Sequence, residues 1–169
     1  MKIQFMRDVD MKLGGFLIFL VKLLTFISIK FNSSQADLKN VKKIIFIKFF
    51  GGGSILLATP MIRELKNIFS GSSIQVLTFQ ENFELCSRLK IFDEIITIRK
   101  HSIAVFFKDT INVLIKLRKL NPEVVIDGEY FSNFSSLISW FSGSRVRVGF
   151  SERQVARADI LTQIGRAHV

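Results

Sequence analysis

From Lys43 onward, short runs of β-branched and aromatic residues alternate with longer segments in which apolar residues return every three or four positions. The first rhythm is that of strands buried on both faces, the second that of helices packed along one side. The runs at Lys43–Phe49 (KIIFIKF), Ile74–Phe79, Glu94–Ile98, Glu123–Asp127 and Arg145–Val148 predict five strands. Between them the spacing predicts helices over Ser54–Phe69, Glu81–Leu89, Ile103–Leu120 and Ser132–Phe141. Ser54 and Ser132 stand where helix caps are expected, and Pro122 follows the long third helix as a stop. Leu57, Met61, Ile62 and Leu65 form the apolar stripe expected of the first helix. Ile103, Phe107, Ile111, Leu114 and Ile115 form that of the third, with Lys108, Asn112, Lys116 and Lys119 as its polar stripe. Strands alternating with helices imply βαβ units, hence an α/β, Rossmann-like doubly wound parallel sheet covered on both faces.

A different texture precedes this domain. Gly14–Phe31 (GGFLIFLVKLLTFISIKF) is apolar on most faces and about as long as a membrane span requires, but Lys22 interrupts it near its centre. A helix lying in the membrane interface fits that lone lysine best; a short spanning anchor and a helix buried on the domain are the alternatives, and a cleaved signal peptide is disfavoured by the preceding Asp8 and Asp10 and by the lack of a small-residue cleavage site. Asn32–Asn40 is polar and reads as a linker. The expected organisation is a membrane-associating helix and linker over residues 1–40, a Rossmann-like domain over 41–162, and a tail over 163–169. The tail, QIGRAHV, resembles translated sequencing-adapter sequence and is set aside from functional reasoning.

Charge and cysteine content narrow the partners. The formal net charge of +10 favours polyanions, phosphorylated substrates or an anionic membrane face. The basic residues are dispersed, and no nucleic-acid-binding motif accompanies them, so no nucleic-acid partner is expected. The single cysteine, Cys86, excludes an internal disulfide and reads as a small buried hydrophobe. The two histidines, His101 and His168, have no metal-ligand spacing, and no metal site is expected.

Two segments carry candidate chemistry. Gly51, Gly52 and Gly53 follow the first strand, with Ser54 behind them. A glycine turn there lets backbone approach a ligand and presents a helix N-terminus to an anion. The turn is not a P-loop, and Leu56 takes the place of the third glycine of a dinucleotide fingerprint. The other segment is Asp127-Gly128-Glu129 at the end of the fourth strand, where a carboxylate can act as general base or brace a loop. Arg145 and Arg147, on one side of the fifth strand, offer phosphate contacts or a solvated face.

The run KKIIFIKFFGGGSILLATPMIRELK, Lys42–Lys66, resembles the opening of glycosyltransferase family nine, the ADP-heptose–lipopolysaccharide heptosyltransferases. Gly51, Gly53, Thr59-Pro60, Arg63 and Leu65 match the family's glycine turn and Thr-Pro helix. Val124–Phe150 resembles a branch with an Asp-x-Glu-x-Phe-Ser pattern. The likeness extends over Lys42–Thr162. It implies the amino-terminal, acceptor-side domain of a GT-B fold and an inverting transfer from a nucleotide sugar such as ADP-heptose, with no further cofactor. The acceptor would be lipid-linked or lipopolysaccharide, at the cytoplasmic face of the inner membrane. The implied sites are Glu129 or Asp127 as catalytic base and Gly51, Gly52, Gly53 and Ser54 for acceptor or phosphate. Ser54 occupies the position of the family's loop aspartate, and a serine hydroxyl does not serve as a base at neutral pH unaided. The expected fragment lacks a donor domain and is inactive alone. The competing expectations are a non-catalytic membrane-associated binding protein of the same fold and a nucleotide-cofactor enzyme in which Glu81 holds a ribose.

Overall fold

The computed structural model describes residues 41–130, 132–150 and 161–165. The hydrophobic segment expected at Gly14–Phe31 lies outside them. Six parallel strands form one sheet: β1 Lys43–Ile47, β2 Ser73–Phe79, β3 Glu94–Ile98, β4 Val124–Asp127, β5 Val146–Phe150 and β6 Gln163–Gly165, in the order β3-β2-β1-β4-β5-β6. The helices are α1 Gly52–Leu57, α2 Thr59–Ile68, α3 Phe83–Leu89, α4 Ile103–Leu120 and α5 Asn133–Phe141, with a 3-10 turn at Gln80–Asn82. This is the doubly wound α/β arrangement expected.

Alternation along β1 divides the core. Ile45 and Ile47, with Phe49 beyond them, join Leu77, Phe79, Ile98, Val113, Leu117, Val125 and Ile138 on the α4–α5 side of the sheet. Ile44 and Phe46 join Ile55, Ile62, Ile74, Val76 and Cys86 on the α1–α3 side. A central strand is covered on both faces, which is why Ile44–Ile47 lacks the polar alternation of an open sheet.

Three expectations change. The helix expected over Ser54–Phe69 is two, joined at Ala58; Pro60 sits in the first turn of α2. Proline lacks an amide donor, so the ladder breaks ahead of it. Ile55 and Ile62 are the buried residues of this pair, while Leu57 is 84% exposed and Met61 faces outward.

The second change concerns α4. Its sheet-facing side carries Val113 and Leu117, with Phe106 packed against the core and Asp109 buried beside them. Asp109 accepts from the Arg99 backbone amide at 3.0 Å and from the Arg99 guanidinium at 2.8 and 2.9 Å. Those hydrogen bonds hold its carboxyl well below the usual range, at about 2. Of the expected stripe, Leu114 packs against the core, while Ile103, Phe107, Ile111 and Ile115 point outward.

The third change is the sheet's edge. Gln163–Gly165, set aside in the sequence reading, pair with β5 in the register Val148↔Gln163 to Phe150↔Gly165. A three-residue strand leaves too little pattern to be legible in advance.

Opposite mutational costs are expected on the two faces of α4. Leu117→Ala should lower the free energy of unfolding by about 3 kcal/mol through lost burial and a residual cavity. Ile111→Ala should change it by less than about 0.5 kcal/mol, since its side chain already meets solvent. Urea denaturation of both variants checks this.

Candidate functional site

In this strand order the connections leave β1 in opposite directions: β2 and β3 build one way, β4, β5 and β6 the other. The carboxyl ends of β1 and β4 thus border the topological switch point, the place where doubly wound sheets bind ligands. Register sets Ile47 opposite Asp127. The glycine turn after β1 and the Asp127-Gly128-Glu129 segment after β4 therefore leave the sheet side by side at one rim.

Glu129 ties the two together. Its Oε1 accepts from the backbone amides of Phe49 at 2.7 Å and Phe50 at 2.8 Å. Its Oε2 pairs with Lys48 Nζ at 3.2 Å, and the same ammonium donates to the Gly128 carbonyl at 3.0 Å. The Gly128 amide donates to the Ile47 carbonyl at 2.9 Å. From the other side, Asn82 Nδ2 donates to the Phe49 carbonyl at 3.0 Å and to Thr78 Oγ1 at 2.8 Å. The Phe49 peptide is thus bound on both sides by side chains from neighbouring strand ends. Phe49 itself is buried against the rings of Phe79 and Phe134, with centroids 4.8 and 5.2 Å away.

Glycine is required where β4 ends. A Cβ at Gly128 would lie 2.8 Å from the Phe46 ring and 3.1 Å from the Ile47 carbonyl oxygen. On the β1 side, Gly51 turns the chain into α1 with a φ of +78°, a left-handed conformation disfavoured for residues with side chains. A Cβ at Gly52 would press on Leu85 at 3.1 Å, whereas Gly53 faces open space and Ser54 is exposed. Ser54 lies within α1, and its amide donates to the Gly51 carbonyl at 2.9 Å. It does not cap the helix, contrary to expectation.

Asp127 is fully buried. One oxygen accepts from the Glu129 amide at 3.0 Å; the other accepts from the hydroxyls of Ser135 and Ser136, each at 2.9 Å. It anchors the first turn of α5 beneath the rim. Ser132 caps that helix as expected, accepting from the Ser135 amide at 3.2 Å.

The sequence-predicted residues thus come together at one rim. Glu129 and Asp127 brace; the turn from Gly51 to Ser54 presents the accessible surface. Lys48 and Asn82, which complete the clamp, were not singled out from the sequence. The signal for Lys48 was there: a lysine inside KIIFIKF is out of place unless a carboxylate meets it. Glu81, the ribose-binding alternative, is exposed and pairs with Lys100 at 3.3 Å. The Arg147 guanidinium donates to the Ser144 carbonyl at 2.6 Å, and its partial burial lowers its pKa; Arg145 is exposed. Cys86 is buried, and burial pushes its thiol up to about 11. Among the described residues no group of His, Cys, Asp or Glu is arranged to hold a metal ion, and no helix is long and apolar enough to cross a membrane.

The fold matches part of a GT-B glycosyltransferase fold. A glycosyltransferase family 9 protein from Veillonella parvula superposes with a TM-score of 0.62 at 18% identity, over 80% of this chain and 38% of its own. ADP-heptose lipopolysaccharide heptosyltransferase II of E. coli superposes with a TM-score of 0.58 at 19% identity, over 73% of this chain and 34% of its own. The E. coli heptosyltransferase WaaC, solved with ADP, gives 0.62 at 12% identity, over 75% and 42%. This chain therefore spans about two fifths of the length of these structures. No protein-family model matches it, and neither does any curated protein.

Removing the clamp has a defined cost. Glu129→Ala strands the Phe49 amide and the partly buried Lys48, so stability should fall by about 3 kcal/mol. The Phe49 and Phe50 amides should exchange with solvent markedly faster than those of β1; hydrogen exchange reads both effects. Cys86 supplies a pH test. A thiol whose folded pKa exceeds its unfolded value binds its proton more tightly when folded, so its contribution to stability is lost as pH rises from about 9 towards 11. Cys86→Ala should flatten that part of the stability profile in thermal melts.

Proposed function

We propose that this chain is the acceptor-side half of an inverting, nucleotide-sugar-dependent glycosyltransferase of heptosyltransferase type. It acts at the cytoplasmic face of the inner membrane on a lipid-linked or lipopolysaccharide acceptor, and a second Rossmann-like half supplies the donor site. The observation that carries this reading is the clamped glycine turn at the switch point, bordered by Glu129 on the β4 side. The neighbours' names support it: two are heptosyltransferases, one solved with ADP.

The roles follow from what each group can reach. Gly53 and Ser54 present open backbone and a hydroxyl to the acceptor, or to a phosphate on it. Glu129 is a positioning residue: it fixes the turn through Phe49 and Phe50 and does not accept the proton of the attacking hydroxyl. Asp127 holds α5 in place below. Deprotonation then needs a base from outside this rim, because Ser54 replaces the aspartate of the family pattern. Positioning supplies rate by holding the hydroxyl in line with the anomeric carbon. The same serine favours a second reading, a sugar-binding protein that has kept the fold without the base.

The test uses the complete protein that contains this chain, an ADP-sugar donor and a lipopolysaccharide-core acceptor. Transfer is expected, with kcat/KM falling about tenfold or more in Glu129→Gln while the acidic limb of the pH–rate profile stays in place. Loss of that limb would make Glu129 the base after all. Donor binding without transfer would select the non-catalytic reading, and failure to bind any nucleotide sugar would overturn the proposal.

A further inference from the structure

Helix α4 carries two apolar stripes, and only one has a partner within the described residues. Val113 and Leu117 face the sheet. On the opposite side Ile103, Phe107, Ile111 and Ile115, spaced four apart, are 56%, 59%, 56% and 50% exposed. A shallow open depression continues this surface from Ile115 to Phe141, itself 40% exposed. Large side chains standing proud along the full length of a surface helix are unusual in a water-facing element.

Charge decides what covers them. Lys108, Lys116 and Lys119 line one flank of the stripe, and Arg118 closes its carboxyl end. The helix has one acid, Asp109, which lies on the sheet side and is held by Arg99. Glu94 meets Lys116 from β3 at the edge of the basic flank. A second copy of this chain, docking through the same surface, would set lysines against lysines with no exposed acid of α4 to pair them. An anionic lipid surface fits both properties: the apolar side chains enter the boundary between headgroups and acyl chains, and the lysines meet phosphates.

We propose that the outward face of α4, with Phe141, is a membrane-docking surface that lies flat on anionic lipid. The inference deepens the membrane-surface element of the proposed function and names the part of the domain that makes the contact.

The experiment is flotation of the full chain with phosphatidylcholine vesicles containing, or lacking, phosphatidylglycerol. Binding to the anionic vesicles is expected and should weaken severalfold as salt is raised. The Phe107→Ser/Ile111→Ser variant should bind at least about tenfold more weakly with an unchanged melting temperature. Lys108→Glu/Lys119→Glu should lose the preference for phosphatidylglycerol. Cys86 is buried, so Ile111→Cys can carry a polarity-sensitive fluorophore, whose emission should shift to the blue when anionic vesicles are added. Unaltered binding by the serine variant overturns this docking surface but leaves membrane association standing. Absence of binding by the parent chain overturns both. A probe at position 111 already shielded without vesicles shows that protein, not lipid, covers the stripe, and also overturns the proposal.

Discussion

The Phe49 peptide, held between side chains from two neighbouring strand ends, is the contact on which the geometry of the rim depends. Its amide donates to Glu129 from the β4 side, and its carbonyl accepts from Asn82 on the β2 side. Beyond Ile47 the ladder with β4 ends, and the chain must turn through Gly51 into a helix on one face. Buried backbone groups at such a turn have to be satisfied by something, and here side chains do it. Because those side chains come from strands on either side of β1, the turn's position is tied to the sheet and not to its own local preferences.

A site built this way separates support from contact. The carboxylates that look most reactive in the sequence are the most heavily engaged: Asp127 holds three donors, and Glu129 holds two amides and an ammonium. Desolvating a carboxylate is costly, and these partners offset that cost only if they stay in place. The groups left open at the rim are instead chemically plain, a glycine backbone and a serine hydroxyl.

Much of this architecture was legible in the amino-acid order. The β3 and α4 boundaries coincide with the expected ones, because charged or capping residues mark each end. The serine cap of α5 was legible for the same reason, and parallel strands alone place the glycine turn and the Asp-x-Glu segment at one edge of the sheet; the strand order makes them neighbours. The break at Ala58 was missed although Pro60 announced it. β6 was missed because its three residues fall in the tail set aside for its likeness to adapter sequence. Lys48 could have been read as a lysine needing a carboxylate, but its partner and the role of Asn82 depend on which strands become neighbours, a fact fixed by topology.

The largest discrepancy, the orientation of α4, has a physical lesson. Periodicity shows that a helix has an apolar stripe but not which stripe the sheet takes. Here the more regular stripe lost to one containing an aspartate, because Arg99 at the end of β3 reaches Asp109 and the pair tolerates burial at the edge of the core. The sheet side is filled by Val113 and Leu117, with Phe106, Leu114 and Leu120 packed beside them. Four large apolar residues remain on the far side of the helix, where packing within the domain does not call for them. The membrane-docking proposal gives that spacing a second surface to meet, and the lysines beside it match the sign that surface would carry.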